Sequence, residues 1–488
     1  MKKTTHLPEI VFSSSDPAES KRISRLVKAG RLNKIAPRLY TSSSEDPETV
    51  IRRNWMEIVA HYFPSGVLSH RTAFRGTSIQ GMRDVFITTT QNRNVELPGL
   101  TLRAMKGPSP DELDTQFPMG LYVSSMPRQL LENLQPARAR KTLAKSVGSS
   151  EVEAFLERQL RIKGEDSLND LRDQARVVSE RLDMEDEFKQ LDGLIGALLR
   201  TRPETLLQTR QGQDRARGLP YDTARLTRFE LLAEALRRNP VENRPEAPQG
   251  WQNCAFFDAY FSNYIEGTEF EVDQAAAVVF EGRVMQDRPK DSHDILGTYQ
   301  VTSDRAAMQT TPDTFDDFIQ LIKQRHLLLF AQRPEINAGE FKTETNRAGD
   351  TVFVQPDLVR GTLLRGFDLY KGLEAGFERA LYMMFLLSEV HPMVDGNGRI
   401  SRIFMNAELV SNNQSRILIP TVYREDYLLN LRRLSRNDEP LPFISMMDRV
   451  HRFTSKIDFA KYDSAKTQLT SCNAFKEPHE GVLLMPDK

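Results

Sequence analysis

His391-Pro392-Met393-Val394-Asp395-Gly396-Asn397-Gly398-Arg399-Ile400-Ser401-Arg402 is the stretch on which the fold turns. The run before it, 373–390, is strongly apolar. The run after it, 399–410, carries Ile400, Ile403, Phe404 and Ala407 on one face. Both have helical character, so the stretch reads as a loop between two core helices. Its glycines permit positive φ and let backbone N–H groups converge on an anion. The helix that follows points its N-terminus, with its partial positive charge, at the same place. Arg399 and Arg402 lie three apart on its first turn and can face that anion. Asp395 can hold a divalent cation that also binds phosphate oxygens. His391 can take a proton from a hydroxyl. These are the parts needed for attack of a hydroxyl on a nucleotide phosphate. A calcium loop is the competing reading, but the required glycine is misplaced and position 406 is Asn, not Glu.

Working outward, the carboxy-terminal half is a run of helices. Segment 256–265 stops at Gly267, 271–280 stops at Gly282, and Thr314 with Asp317 forms a capping-box pattern opening 315–330. Segments 340–345 and 351–354 flank Asn346-Arg347-Ala348-Gly349-Asp350 and read as a β-hairpin. In Ser262-Asn263-Tyr264-Ile265-Glu266-Gly267, Ser262 and Glu266 share one helix face. His293 sits among the acids of a helix start, and His326 reads as a partly buried helix residue. Residues 135–250 are mostly helical and rich in Arg and Glu. Within them, 200–249 has the Arg and Pro content of a loosely packed connector. Residues 456–488 are polar with few packing signals.

Composition narrows the classes. Two cysteines, Cys254 and Cys472, exclude a disulfide framework or a cysteine zinc site. The longest apolar run, about 380–387, is far short of a membrane span. Met1-Lys2-Lys3 is followed by polar residues, so no signal pattern opens the chain. A cytoplasmic protein without a membrane partner is expected. The net charge of −1 hides an asymmetry. Residues 1–110 hold 17 Lys/Arg against 9 Asp/Glu, so a basic module precedes an acidic body. That module opens with a short amphipathic helix around Ile23, Leu26 and Val27, closed by Gly30. A hairpin or wing at 31–40, a helix at 47–62 and strands at 84–90 and 100–105 follow. Short helices with a small β wing suggest a winged helix.

The signature at 391–402 is similar to that of the Fic (Fido) family, His-Pro-Phe-x-Asp/Glu-Gly-Asn-Gly-Arg-x-x-Arg. Met393 stands where the family usually has Phe, a soft apolar exchange that should alter packing and spare the chemistry. The resemblance spans about 251–450 and implies protein adenylylation. In that reaction a Tyr, Ser or Thr hydroxyl of a target protein attacks the α-phosphate of ATP. Carried over by position, His391 is the general base and Asp395 binds Mg2+. Gly396, Asn397 and Gly398 form the anion hole, and Arg399 and Arg402 hold the β- and γ-phosphates. Ile400 and Ser401 fall in the same nucleotide-binding stretch. Gly398 follows the nucleotidyl-transfer form, where the kinase-like Doc branch has Lys. Segment 340–354 matches the flap that clamps the target by strand pairing, and Tyr427 resembles a residue lining the nucleotide pocket. Residues 262–267 resemble the family's inhibitory motif, Ser/Thr-x-x-x-Glu-Gly/Asn, comprising here Ser262, Glu266 and Gly267. Glu266 would pair with Arg402 and deny it to the γ-phosphate, as in the self-inhibited class. Residues 23–40, with Ser69-His70-Arg71-Thr72-Ala73, resemble the start of AbiEi-type winged-helix antitoxin regulators, which implies DNA as a partner.

The expected architecture is mainly α. A winged-helix-like domain occupies 1–110, a helical middle and connector 111–250, a Fic domain 251–455 with its inhibitory helix at about 254–267, and a polar tail 456–488. A homodimer is compatible with this plan. Two alternatives stay open: a DNA-binding regulator with a nucleotide-sensing core, and removal of AMP by the same site.

Overall fold

The computed structural model describes residues 7–76, 81–136, 143–247 and 249–486. The chain is mainly helical and divides into two compact units, one ending at Gly218 and one beginning at Leu219. No helix among the described residues is long and apolar enough to cross a membrane.

The first unit opens with a three-stranded antiparallel sheet. Leu39–Thr41 lies in its middle, between Ile10–Phe12 and Asn33–Ala36. The helix Pro17–Lys28 connects two of these strands. Asp16 caps it, accepting from the Ala18 N–H, and Pro17 stands where no amide donor is needed. Of its apolar residues, Ile23 is buried. Lys21, Arg22, Arg25 and Lys28 are exposed. The helix expected at 47–62 is two, Pro47–Arg53 and Trp55–Tyr62, separated at Asn54. The expected strands are Asp84–Thr89 and Leu100–Lys106, which pair in parallel. They sit within a mixed six-stranded sheet that the sequence did not announce, because three of its strands are only two or three residues long. Helices Met126–Leu134, Ser149–Leu182 (broken at Gly164, φ 81°), Glu185–Leu198 and Arg210–Ala216 follow.

The second unit is built on two helices, Phe377–Val390 and Asn397–Ser411, which flank the signature loop and share one apolar core. Phe315–Leu329 joins them through Phe318, stacked against Phe367 and edge-on to Phe404. Its capping box is present: Thr314 and Asp317 bond reciprocally. Two expectations change. Within 200–249 lies a helix, Thr223–Arg238, whose Phe229, Leu232, Ala233 and Leu236 are buried in that core. The surrounding Arg and Pro obscured a regular apolar face. The polar tail also packs. Helix Tyr462–Ser471 buries Ala465 and Leu469, and Tyr462 stacks on Phe257 with ring centroids 5.6 Å apart.

Helix Trp251–Ile265 carries Ser262 and is capped by Glu266; it begins three residues before the helix expected at about 254–267. It meets Asn397–Ser411 in an antiparallel ladder of polar contacts one turn apart. Asp258 accepts from Asn406 Nδ2 at 3.1 Å, Ser262 Oγ accepts from Arg402 Nε at 2.9 Å, and Glu266 Oε1 accepts from Arg402 at 2.7 Å. Asp258 also pairs with buried Arg416. A buried charge is tolerated only when paired and hydrogen-bonded, so this ladder fixes the register of the two helices.

Candidate active site

The signature loop is locked by its own side chains. Asn397 Oδ1 accepts from the Met393 N–H at 2.8 Å, and its Nδ2 donates to the Met393 carbonyl at 2.9 Å. The Asn397 side chain therefore braces the loop, which leaves its backbone N–H for an anion. Met393 is fully buried in the core. His326 accepts from the Gly339 N–H at Nδ1 and so presents Nε2–H to the Asp395 carbonyl, 3.1 Å away. His326, expected as a partly buried helix residue, is fully buried and braces the loop.

Gly396, at φ 72°, caps helix Asn397–Ser411, and the Ile400 N–H closes the first turn on the Gly396 carbonyl. The N–H groups of Asn397, Gly398 and Arg399 precede that turn and have no intrahelical acceptor. Gly398 leaves room for the Glu266–Arg402 pair. A Cβ there would overlap Glu266 Oε1 and crowd Arg402.

His391 ends helix Phe377–Val390 in the left-handed region, at φ 54°. Its Nδ1 lies 3.2 Å from the Ser388 carbonyl, which fixes the proton on Nδ1 and leaves Nε2 as the basic nitrogen. Burial pushes the imidazole pKa down to about 4, with Lys342 adding to the effect, so the ring is neutral at pH 7. Phe353 stacks on it in parallel, centroids 3.7 Å apart.

Arg402 is 4% exposed and heavily engaged: with Ser262 Oγ, the Ser262 carbonyl, Glu266 and the Tyr427 hydroxyl. Burial pushes the Glu266 carboxyl up, but the charge and hydrogen bond of Arg402 outweigh this and hold it below its usual range. Gly267, at φ 95°, ends that helix. Arg399 is placed differently from Arg402. It is buried against Asp294 at 2.8 Å and over the ring of Phe330, and lies 3.7 Å from Asp395. Ile400 is in the apolar core, and Ser401 Oγ bonds the Gly398 carbonyl and Ser388. Neither side chain faces ligand space.

His391, Gly398, Arg402, Glu266 and Tyr427 line one cavity of about 580 Å³, together with Ile265, Leu428 and Leu431. The flap borders it, but its strands are short: Arg347–Ala348 pairs with Thr351–Val352. The 340–345 segment forms no strand because it pairs with the loop instead. The Lys342 N–H donates to the Pro392 carbonyl at 2.9 Å. Two residues far away in sequence hold the flap and were not anticipated. Arg225 donates to the Val352 carbonyl at 2.6 Å and pairs with buried Glu389, while Arg436 donates to Thr351 Oγ1 at 2.7 Å.

Residues 315–409 match the model of the Fic/DOC family, so the stretch holding the flap and signature is a Fic domain. Among curated proteins, the chain is 26% identical over 233 residues to the protein adenylyltransferase Fic of Drosophila persimilis, covering 46% of this chain and 44% of that protein. It is 24% identical over 255 residues to the one of Nematostella vectensis, covering 50% and 58%. For the protein adenylyltransferase fic-1 of Caenorhabditis elegans the identity is 22% over 181 residues, covering 36% of each. The chain spans about half the length of the curated relatives it matches. Among solved structures, a Fic-domain signaling protein from Bacteroides thetaiotaomicron is 20% identical, with TM-score 0.37, covering 50% of this chain and 97% of that one. Fic-1 from C. elegans is 18% identical, with TM-score 0.36, covering 69% and 97%.

Proposed function

We propose that this protein transfers AMP from ATP to a hydroxyl of a target protein and restrains itself through Glu266. The observation that carries the reading is one cavity lined by a neutral imidazole, a buried arginine and Gly398 of a helix N-terminus. The hydroxyl oxygen of a Tyr, Ser or Thr attacks the α-phosphorus, and its proton passes to His391 Nε2. A new O–P bond forms, the α–β bridging bond breaks, and pyrophosphate leaves with the electron pair. The amides of Asn397, Gly398 and Arg399 stabilise the charge that develops. Ile265, Leu428 and Leu431 offer an apolar wall for the base.

Asp395 is suited to Mg2+. Its carboxylate is half-exposed and accepts from the Gly396 N–H at 2.6 Å, leaving its other oxygen available. Among the described residues no group of three or more His, Cys, Asp or Glu could hold a metal, so phosphate and water would supply the remaining ligands. A bound Mg2+ would neutralise charge on the triphosphate.

Glu266 occupies the face of Arg402 that a γ-phosphate would use, so nucleotide and carboxylate compete for one guanidinium. Removing AMP through the same site is the second reading, because Glu266 and His391 line one cavity.

A pH profile tests the base. His391 is deprotonated above a pKa of about 4, so activity is held through neutrality and lost as pH falls through about 4. In Glu266→Gly, the acid limb of kcat/KM for ATP should lie at or below about pH 4. A limb near 6.5, the unperturbed value, would contradict a desolvated base.

For residues 1–110 we infer contact with DNA, supported by the exposed Lys21, Arg22, Arg25 and Lys28 of helix Pro17–Lys28. The expected result is a mobility shift of the chain's own promoter that weakens steeply with salt. Binding insensitive to salt would count against phosphate contacts.

A further inference from the structure

Lys342 is 3% exposed, yet the charged group that acts on its ammonium is another cation, Arg225. Desolvation pushes its pKa down to about 8. Among the described residues Lys342 pairs with no acid, and a buried lysine without one is costly and needs a reason. Its contacts supply one. Nζ donates to Asn346 Oδ1 at 2.7 Å and to the Val390 carbonyl at 3.4 Å, and the backbone N–H donates to the Pro392 carbonyl at 2.9 Å. Asn346 Nδ2 donates to the Met393 carbonyl at 2.9 Å, and its own carbonyl accepts from the Phe353 N–H at 3.2 Å. Phe353 is the ring stacked on His391. The carbonyls before and after His391 are therefore held from segment 342–346, and its ring face from the residue that ends the hairpin. His391 itself has a backbone conformation unfavourable for any residue with a Cβ, so it must be held in place.

We propose that Lys342 is the positioning residue for the catalytic imidazole, bridging the root of the hairpin to the backbone around His391 so that flap and base move as one body. The proposal rests on the AMP-transfer reading. Target docking on the flap would then also seat the base. The ammonium also biases the imidazole toward its neutral form. The charged groups that act on His391 are Lys342, which lowers its pKa, and Glu266 and Asp395, which raise it. Arg225 is the one that acts on Lys342.

The test compares Lys342→Met and Asn346→Ala in the Glu266→Gly background of the full chain. A misplaced catalytic group costs about 10²-fold. Lys342→Met should therefore lower kcat for AMP transfer by about that factor, with KM for ATP changed less than twofold. Histidine NMR titration, with the His391 signal identified by its loss in His391→Ala, should show the His391 pKa rising in Lys342→Met. A merely structural role would not move it. Asn346→Ala breaks the same bridge at a half-buried residue and should also lower kcat, whether or not the lysine variant folds. Unchanged kcat in Asn346→Ala, or an unmoved His391 titration in folded Lys342→Met, overturns the proposal. If the Glu266→Gly parent transfers no AMP, the transferase reading fails instead, and the titration still decides the role of Lys342.

Discussion

Glu266→Gly is expected to raise AMP transfer by about 10²–10³-fold over the wild-type chain. In the structure Arg402 is nearly buried and its guanidinium is held by Glu266 at 2.7 Å and by Ser262. A γ-phosphate can use that guanidinium only by displacing the carboxylate. Breaking a buried charge pair typically costs about 3–5 kcal/mol, and each 1.4 kcal/mol or so is tenfold in binding. Part of this is recovered when phosphate replaces carboxylate, which leaves about two to three decades. The same substitution leaves Arg402 without its acid partner. The variant should therefore melt lower than wild type without nucleotide and gain more in Tm when ATP is added. Equal ATP-induced shifts in the two proteins would mean that Glu266 and nucleotide do not compete. Removal of AMP is read out in the same pair: if the site runs that way, release of AMP from a modified target needs Glu266 and stops in Glu266→Gly.

His391→Ala, placed in the Glu266→Gly background, should lower transfer by about 10²–10⁴-fold, the range for a positioned general base. ATP should still protect this double variant thermally, because Arg402, the free amides of the helix N-terminus and the apolar wall remain. A loss of both transfer and protection would place His391 in nucleotide binding or folding. Transfer that persists would remove it from the chemistry. The neutral state of the ring, set mainly by burial, gives it a lone pair to use at pH 7.

How much of this could be read in the sequence depended on distance along the chain. The signature packs imidazole, carboxylate, turn glycines and two arginines into twelve residues, so local spacing alone put them at one helix junction. That Ser262 and Glu266 share a helix face was legible because they are one helical turn apart. Arg402 meets both of them, and Asn406, one turn further on, meets Asp258, one turn earlier. The braces were not legible. Arg225 meets the flap from more than a hundred residues away, and His326, Lys342 and Asp294 reach the loop or its arginine from other elements. None lies in a pattern with what it touches. The hairpin is shorter than the sequence suggests for a similar reason: the strand-like residues 340–345 do not reveal that their partner is the Pro392 carbonyl. The two arginines look equivalent in sequence, yet Arg402 lines the cavity while Arg399 is committed to Asp294. That difference comes from a helix a hundred residues earlier.

The most direct test of the central claim is intact-mass analysis of protein incubated with Glu266→Gly, ATP and Mg2+, with Glu266→Gly/His391→Ala as the control. AMP transfer predicts the mass of one adenylyl group added to the chain itself or to a target, present with the single variant and absent with the double. An added phosphate, an added uridylyl group when UTP is supplied in competition, or no difference between the two variants would contradict it.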